Sequence, residues 1–258
     1  MTERSTIRYE AADGVGTITL NRPDRMNGIV NTMMRELYEV LSEVALDASV
    51  RVLVLTGAGK AFCPGADLKR YTSDETDERL LPEYFHLTTL LHEVPQVTIA
   101  AINGACAGAG LGWACACDLR IAAGSATFNT AFLDVGVAGD MALPWSLPRI
   151  VGAAKARELS FLPGKFGAEE ALRIGLVNRV LSDDAFRAGV DEVTRTLAAK
   201  APLALRGLKD HYLAGERMTM RDFVNLETER HTRISASHDT QEGFRAFLEK
   251  RAPRFEGR

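Results

Sequence analysis

The sequence predicts an α/β fold with a helical C-terminal region. Short apolar runs alternate with helix-period segments up to about residue 182. Two of those runs, Val52-Leu53-Val54-Leu55-Thr56-Gly57 and Val97-Thr98-Ile99-Ala100-Ala101-Ile102-Asn103-Gly104, lead into glycine-rich turns that open helices. From Asp184 onward the pattern is almost wholly helical, in three or four amphipathic pieces. The expected division is residues 1–182 as the core and 183–258 as a helical region. That region is expected to pack on its own core or on a neighbouring subunit.

The elements follow in order. Ile7–Glu10 and Val15–Leu20 read as a hairpin around Asp13-Gly14, and Asn21–Asp24 as a turn. Asn31 is placed to cap a helix reaching Leu46, with Met34, Leu37, Val40, Leu41 and Val44 on one stripe. A strand over Arg51–Thr56 precedes the first glycine-rich turn. The polar, acidic residues 71–79 read as a mobile loop. A helix over Leu81–Glu93 leads to the strand Val97–Ile102, and the second turn opens a helix reaching Cys117. Short strands are expected at Leu119–Ala122 and Ala126–Phe128, and irregular chain after Asp134. Helices follow around Pro148–Phe161 and Ala168–Ile174, then a strand over Leu176–Val180.

Composition narrows the function. The chain has 258 residues, 46% apolar and 25% charged, the balance of a soluble globular protein. A net charge of −3 offers no bulk attraction to nucleic acid. No apolar run is long enough to span a bilayer, and no apolar signal core follows Met1–Ser5, so the cytoplasm is the expected compartment. Cys115-Ala116-Cys117 lacks metal-ligand spacing, and Cys63 has no base beside it in sequence. All four cysteines therefore read as packing residues. Gly108-Ala109-Gly110-Leu111-Gly112 is not the dinucleotide spacing, and Gly57-Ala58-Gly59-Lys60 is not a phosphate loop.

The glycine-rich turns carry the first chemical clue. Small residues let a ligand approach the backbone, and the first turn of a helix leaves N–H groups unpaired. Two such groups aimed at one point would hold a carbonyl oxygen as it gains negative charge. An acyl group, a thioester foremost, is the substrate this predicts.

Further residues carry a resemblance. They are Asn21-Arg22-Pro23, Ala61-Phe62-Cys63-Pro64-Gly65-Ala66-Asp67-Leu68-Lys69, Ala101-Ile102-Asn103-Gly104 with Ala107-Gly108-Ala109-Gly110, Cys117–Ala122, Leu147–Gly152, and Glu170-Ala171-Leu172 with Gly175-Leu176-Val177. Over nearly the whole chain they resemble the crotonase superfamily, the enoyl-CoA hydratase/isomerase enzymes. The resemblance implies a spiral of ββα repeats with a C-terminal helical region, and assembly as a homotrimer or hexamer. It also implies acyl-CoA thioester substrates and neither metal nor redox cofactor, coenzyme A being part of the substrate.

Carried over by position, the oxyanion donors are the amides of Ala66 and Ala109. The substrate-binding positions are Arg25, Met26, Ala66, Asp67, Leu68, Lys69, Gly110 and Phe132. Arg25 and Lys69 read equally well as solvated charges, and Asp67 as a residue that orients its turn. Trp113 and Trp145 read as core or pocket wall, and His92 and Glu93 as solvated.

The chain departs from the hydratase pattern at both glutamates that would activate water. Gly112 and Phe132 occupy those positions, and neither can move a proton. Asp140, four residues after Gly136, remains where related isomerases and dehalogenases place a catalytic aspartate. The expected mechanism is therefore an isomerase or lyase reaction through an enolate, with Asp140 as proton shuttle in a drier pocket. Helix capping is the competing role for Asp140. Two alternatives stay open. One is an acyl-CoA hydrolase or dehalogenase with Asp140 as nucleophile and His86 as base. The other is a catalytically silent acyl-CoA-binding subunit.

Overall fold

The computed structural model describes residues 4–72 and 79–258; residues 73–78, the centre of the expected mobile loop, lie outside the described residues. The chain opens with a hairpin of β1 (Ile7–Ala12) and β2 (Val15–Leu20). Asp13 and Gly14 both take positive φ in the turn, which matches the twist of the flanking strands. Helix α1 (Asn31–Leu46) follows, burying Met33, Met34, Leu37, Val40, Leu41 and Val44 along one stripe.

Three strand–strand–helix units come next. The first is β3 (Val52–Gly57), β4 (Ala61–Cys63) and α2 (Leu87–Glu93). The second is β5 (Val97–Ile102), β6 (Ala105–Ala107) and α3 (Gly108–Ala116). The third is β7 (Leu119–Ala123), β8 (Thr127–Asn129) and α4 (Leu143–Val151). In each unit the long strand joins one sheet and the short strand another, so the chain advances as a spiral. After α5 (Ala153–Phe161) come β9 (Phe166–Gly167), α6 (Ala168–Arg173) and β10 (Arg179–Leu181). The six-stranded sheet has the order β1-β2-β3-β5-β7-β10, parallel from β2 onward. The four-stranded sheet has the order β4-β6-β8-β9.

Burial explains the strand sequences. The first four residues of β3 are all buried, as a parallel strand covered on both faces requires. Helix α3 is apolar on every side because every residue in it is buried at the centre of the molecule. Its Trp113, with Phe62 and Phe128, is among the largest fully buried side chains. Each such side chain contributes roughly 1.5–3 kcal/mol of burial free energy.

Helices α7 (Phe186–Ala198), α8 (Pro202–Gly215), α9 (Met220–Ser235) and α10 (His238–Glu249) complete the chain. Val190 and Ala198 of α7 pack on Val52, Val54, Ile99 and Ile121 of the large sheet. Helix α8 is tied down by the buried Lys209, whose Nζ donates to the Gln96 carbonyl at 2.8 Å and pairs with Asp118 Oδ2 at 2.8 Å. The same carboxylate accepts the Thr98 amide at 2.7 Å and the Thr98 hydroxyl at 3.0 Å.

Several local expectations are corrected. Val30 is the N-cap of α1, and Asn31 is the first helical residue, its side chain accepting from Arg70 at 3.3 Å. The expected helix over 81–93 begins as a 3-10 turn at Pro82–His86, since proline favours a first turn but supplies no N–H. The helix expected from Pro148 starts at Leu143 and breaks at Gly152, whose φ is +80°. The last strand is Arg179–Leu181, because Leu176 and Val177 are buried in a turn rather than paired. His92 is not a solvated side chain. Its ring nitrogens lie 3.4 Å from the Ala116 carbonyl and 3.1 Å from Glu216, its ring meets Trp145 edge-on, and Glu93 pairs with Arg217. Trp113 is core as expected, whereas Trp145 is 40% exposed and stacks under Arg149.

Lys209→Ala removes the cation while leaving Asp118 and the Gln96 carbonyl in place. It is expected to destabilise the protein by about 3 kcal/mol. Urea denaturation measures this directly, and an unchanged midpoint contradicts the strut role.

Candidate active site

The two glycine-rich turns meet because β4 and β6 are parallel neighbours, with Cys63 opposite Cys106. A Cβ on Gly65 would lie 3.3 Å from the Ala107 carbonyl and 3.5 Å from the Ala109 nitrogen. Gly65 also needs its φ of +100°. Gly110 is more tightly held, since a Cβ there would come within 2.2 Å of the Cys63 carbonyl oxygen. Its role is therefore to let α3 reach the first turn.

The amides at issue are those of Ala66 and Ala109. Ala66 bridges Ile29 in parallel, so the bonds run from the Ile29 amide to Gly65 O and from the Asp67 amide to Ile29 O. The Ala66 N–H faces the other way. Ala109 is the second residue of α3, where helical amides have no partner one turn back. Neither amide has an acceptor among the described residues. All four cysteines are buried, and burial pushes the Cys63 thiol up to about 12, so Cys63 serves as packing beneath the turn.

The loop after β2 docks on the first turn. Arg22 donates to Asp67 Oδ2 at 2.9 Å and to the Gly28 carbonyl. Asn27 bonds the Ala58 and Ala61 carbonyls at 2.9 and 2.8 Å. A Cβ on Gly28 would touch both Asp67 and the Arg25 carbonyl. The Arg25 carbonyl is thus brought close to Asp67, the residue before Leu68 and Lys69 in the turn. Met26 and Leu68 are about half exposed, at 49% and 53%. The Asp67 carboxylate is buried and taken by Arg22, so it holds the turn as expected. Sequence reasoning misses Asn27 and reaches Arg22 only as part of the motif Asn21-Arg22-Pro23.

Asp140 lies on the loop between the Leu133–Val135 3-10 turn and α4. It does not cap α4: the N-cap is Ala142, without a side-chain bond. Its Oδ1 accepts the adjoining Met141 amide at 2.7 Å. Burial raises its pKa above the ordinary carboxylate value, only partly opposed by the Met141 amide. Asp140 lines a cavity of about 400 Å³ together with Phe85, His86, Thr88, Thr89 and Met141. His86 is therefore brought to the same cavity as Asp140, on the exposed end of its 3-10 turn.

The two glutamate-replacement positions differ in kind. Phe132 is half-buried, its ring 3.9 Å from where a Gly108 Cβ would sit. It lines a second, apolar cavity of about 260 Å³ with Leu133, Ala138, Leu143 and Phe161. Gly112 opens no space at all. A Cβ there would lie 2.6 Å from the Met141 carbonyl oxygen and 2.8 Å from Met141 Cβ. Gly112 itself adds no open space to the drier pocket expected there, because Met141 fills that position.

Comparison with known proteins places these features in context. The enoyl-CoA hydratase/isomerase family profile matches residues 10–258. A probable enoyl-CoA hydratase of Rhodobacter capsulatus is 38% identical over 255 residues, 98% of each chain. The 1,2-epoxyphenylacetyl-CoA isomerase of Escherichia coli is 37% identical over 251 residues, 95% of this chain and 96% of that one. The crystal structure of an enoyl-CoA hydratase from Bacillus anthracis superposes with a TM-score of 0.91 at 31% identity, covering 98% of this chain and 100% of the other.

The raised Asp140 pKa fixes a sign. Between the ordinary carboxylate pKa and the folded value, the folded state binds more protons than the unfolded one. Stability therefore falls as pH rises through that window. Asp140→Asn, which keeps the Met141 amide bond, is expected to raise stability at pH 7 and to lose that advantage as pH drops through the window. Denaturation at several pH values, with His86→Gln as control for the other titratable group on the cavity, measures it. An Asn variant less stable at pH 7 contradicts the burial assignment.

Proposed function

Because the chain belongs to the enoyl-CoA hydratase/isomerase family, we propose that it is an acyl-CoA isomerase working through an enolate. Asp140 moves the proton, and the amides of Ala66 and Ala109 hold the thioester oxygen. The observation that carries this reading is the placement of Asp140. It is a half-buried carboxylate of raised pKa on a cavity wall, in a chain whose two hydratase glutamate positions are Gly112 and Phe132.

The steps follow from the groups present. The thioester oxygen accepts from the two amides, whose donation strengthens as negative charge gathers on that oxygen. The Asp140 carboxylate takes a proton from the carbon next to the thioester, and the electron pair moves into the enolate. The resulting carboxylic acid returns the proton to a different carbon of the extended system. A raised pKa suits both halves of this transfer. The cavity beside Phe132 suits an apolar acyl group, and in this reading Arg25, Met26, Leu68 and Lys69 meet the coenzyme A portion. No metal or redox group enters these steps. The exposed Phe244, Phe247 and Leu248 on α10 support assembly as a homotrimer or hexamer.

A second reading has one observation in its favour: His86 and Asp140 line the same cavity. There Asp140 would attack the thioester carbonyl, releasing coenzyme A as its thiol, or a halogen-bearing ring carbon, releasing halide. His86 would take a proton from the water that hydrolyses the resulting enzyme anhydride or ester. Turnover in ¹⁸O water followed by peptide mass analysis separates the two, since only a nucleophilic Asp140 acquires label.

The test of the main reading does not require the physiological substrate. Phenylacetyl-CoA in D2O is expected to exchange its α-protons for deuterium, followed by NMR. Asp140→Asn is expected to slow exchange by on the order of 100-fold or more while leaving affinity nearly unchanged. Exchange by Asp140→Asn at the wild-type rate contradicts the assignment.

A further inference from the structure

Asp140 is clamped on both sides by contacts that only glycine permits. On one side, a Cβ on Gly139 would lie 2.6 Å from Pro144 Cγ, and Gly139 has a φ of +128°. On the other, Gly112 admits the Met141 main chain to within van der Waals contact of α3. Met141 is 5% exposed, and its sulfur accepts the hydroxyl of the buried Thr88 on α2 at 3.3 Å. Met141 and Ala142 both hold left-handed backbone, with φ of 46° and 54°. Such residues cost on the order of 1–3 kcal/mol each and persist only where the surroundings over-determine them. Here the surroundings are α2, α3 and the first residues of α4. The Leu143 amide closes the turn on the Asp140 carbonyl at 3.0 Å.

From this geometry we infer that Met141, seated against Gly112 and fixed by Thr88, is a positioning residue that holds the Asp140 carboxylate at the cavity wall. Gly112 is then not merely a missing glutamate. It is the socket that allows the catalytic carboxylate to come from the loop instead of from α3. In this chain a side chain at position 112 and a seated Met141 exclude each other. This inference rests on the reading of Asp140 as proton carrier, and it names the contact through which the rest of the fold controls that proton.

A displaced Met141 carries Asp140 with it. A shift of about 1 Å in a reacting group lowers turnover by up to on the order of 100-fold. Binding of the coenzyme A portion, which the proposed function assigns to Arg25, Met26, Leu68 and Lys69 and not to this loop, is untouched. Release from the seat also returns water to Asp140. The acidic limb of the rate profile then moves down toward the ordinary carboxylate range. Among the described residues His86 is the other titratable group lining that cavity, so each profile is repeated in the His86→Gln background.

The experiment measures α-deuterium exchange of phenylacetyl-CoA across pH for wild type, Gly112→Ala, Thr88→Val and Asp140→Asn. Gly112→Ala is expected to lose at least about tenfold in kcat, with KM within about twofold and the acidic limb displaced downward. Thr88→Val keeps the shape of its side chain but not the hydroxyl. It is expected to lose about threefold in kcat with the same downward displacement. Gly112→Ala with wild-type kcat and limb overturns the inference while an inactive Asp140→Asn leaves the isomerase reading intact. If Gly112→Ala does not fold, Thr88→Val decides, and an unchanged profile there overturns the inference. Wild-type exchange by Asp140→Asn removes the underlying reading instead.

Discussion

The pairing of β4 with β6 is the constraint on which the site depends. It is a short contact, with Cys63 opposite Cys106 in a small sheet beside the main one. Yet it sets two turns from separate repeats side by side, and the absence of side chains at Gly65 and Gly110 decides how near they come. Each turn contributes one unpartnered amide. The spiral thereby converts two copies of the same local unit into two different donors beside one another, which no single helix terminus supplies. An electrostatic site built from main chain costs little reorganisation when charge develops, because the backbone is held by the two sheets. The supporting layer is correspondingly rigid. Arg22 ties the loop after β2 to Asp67, and Asn27 ties it to Ala58 and Ala61. The buried Cys63 and Cys106 fill space where β4 meets β6, and burial raises the pKa of both thiols.

The second constraint is how the carboxylate arrives. An Asp on a loop is free to take solvent, but this one is held between Gly139 against Pro144 and Met141 against Gly112. The strain of two left-handed residues in succession is tolerated because α2, α3 and α4 all contact the loop. Burial then raises the Asp140 pKa, and a carboxyl group that holds its proton more firmly is better able to return one to carbon. Family membership alone leaves hydration, isomerisation and other acyl-CoA reactions open. The proposal of proton transfer between carbons rests on the particular residues at positions 112, 132 and 140.

Much of this was readable from the chain alone. The strands β3 and β5 declare themselves by continuous apolar residues ending at Gly57 and Gly104, and the hairpin by Asp13-Gly14. Asp140 stands out only through the family resemblance, which implies a catalytic carboxylate four residues after Gly136. What was not readable is long-range. Nothing near Met141 announces that its main chain will fill the space above Gly112, and nothing near Arg22 announces Asp67, 45 residues away. Helix α4 begins five residues before the expected Pro148 because the left-handed Met141 and Ala142 set its entry, a conformation for which neither residue type is a signal. Leu176 and Val177 imitate a strand because their apolar side chains fill the core from a turn. Asn31 carries the usual chemistry of a cap, but the chain enters α1 one residue earlier.

The claim beneath all of this is that two main-chain amides polarise one thioester carbonyl. Infrared difference spectroscopy of phenylacetyl-CoA, labelled with ¹³C at that carbonyl and bound to the protein, tests it most directly. The account predicts a carbonyl band shifted to lower wavenumber than in water, as two strong donors on one oxygen require. A band at or above its position in water contradicts it.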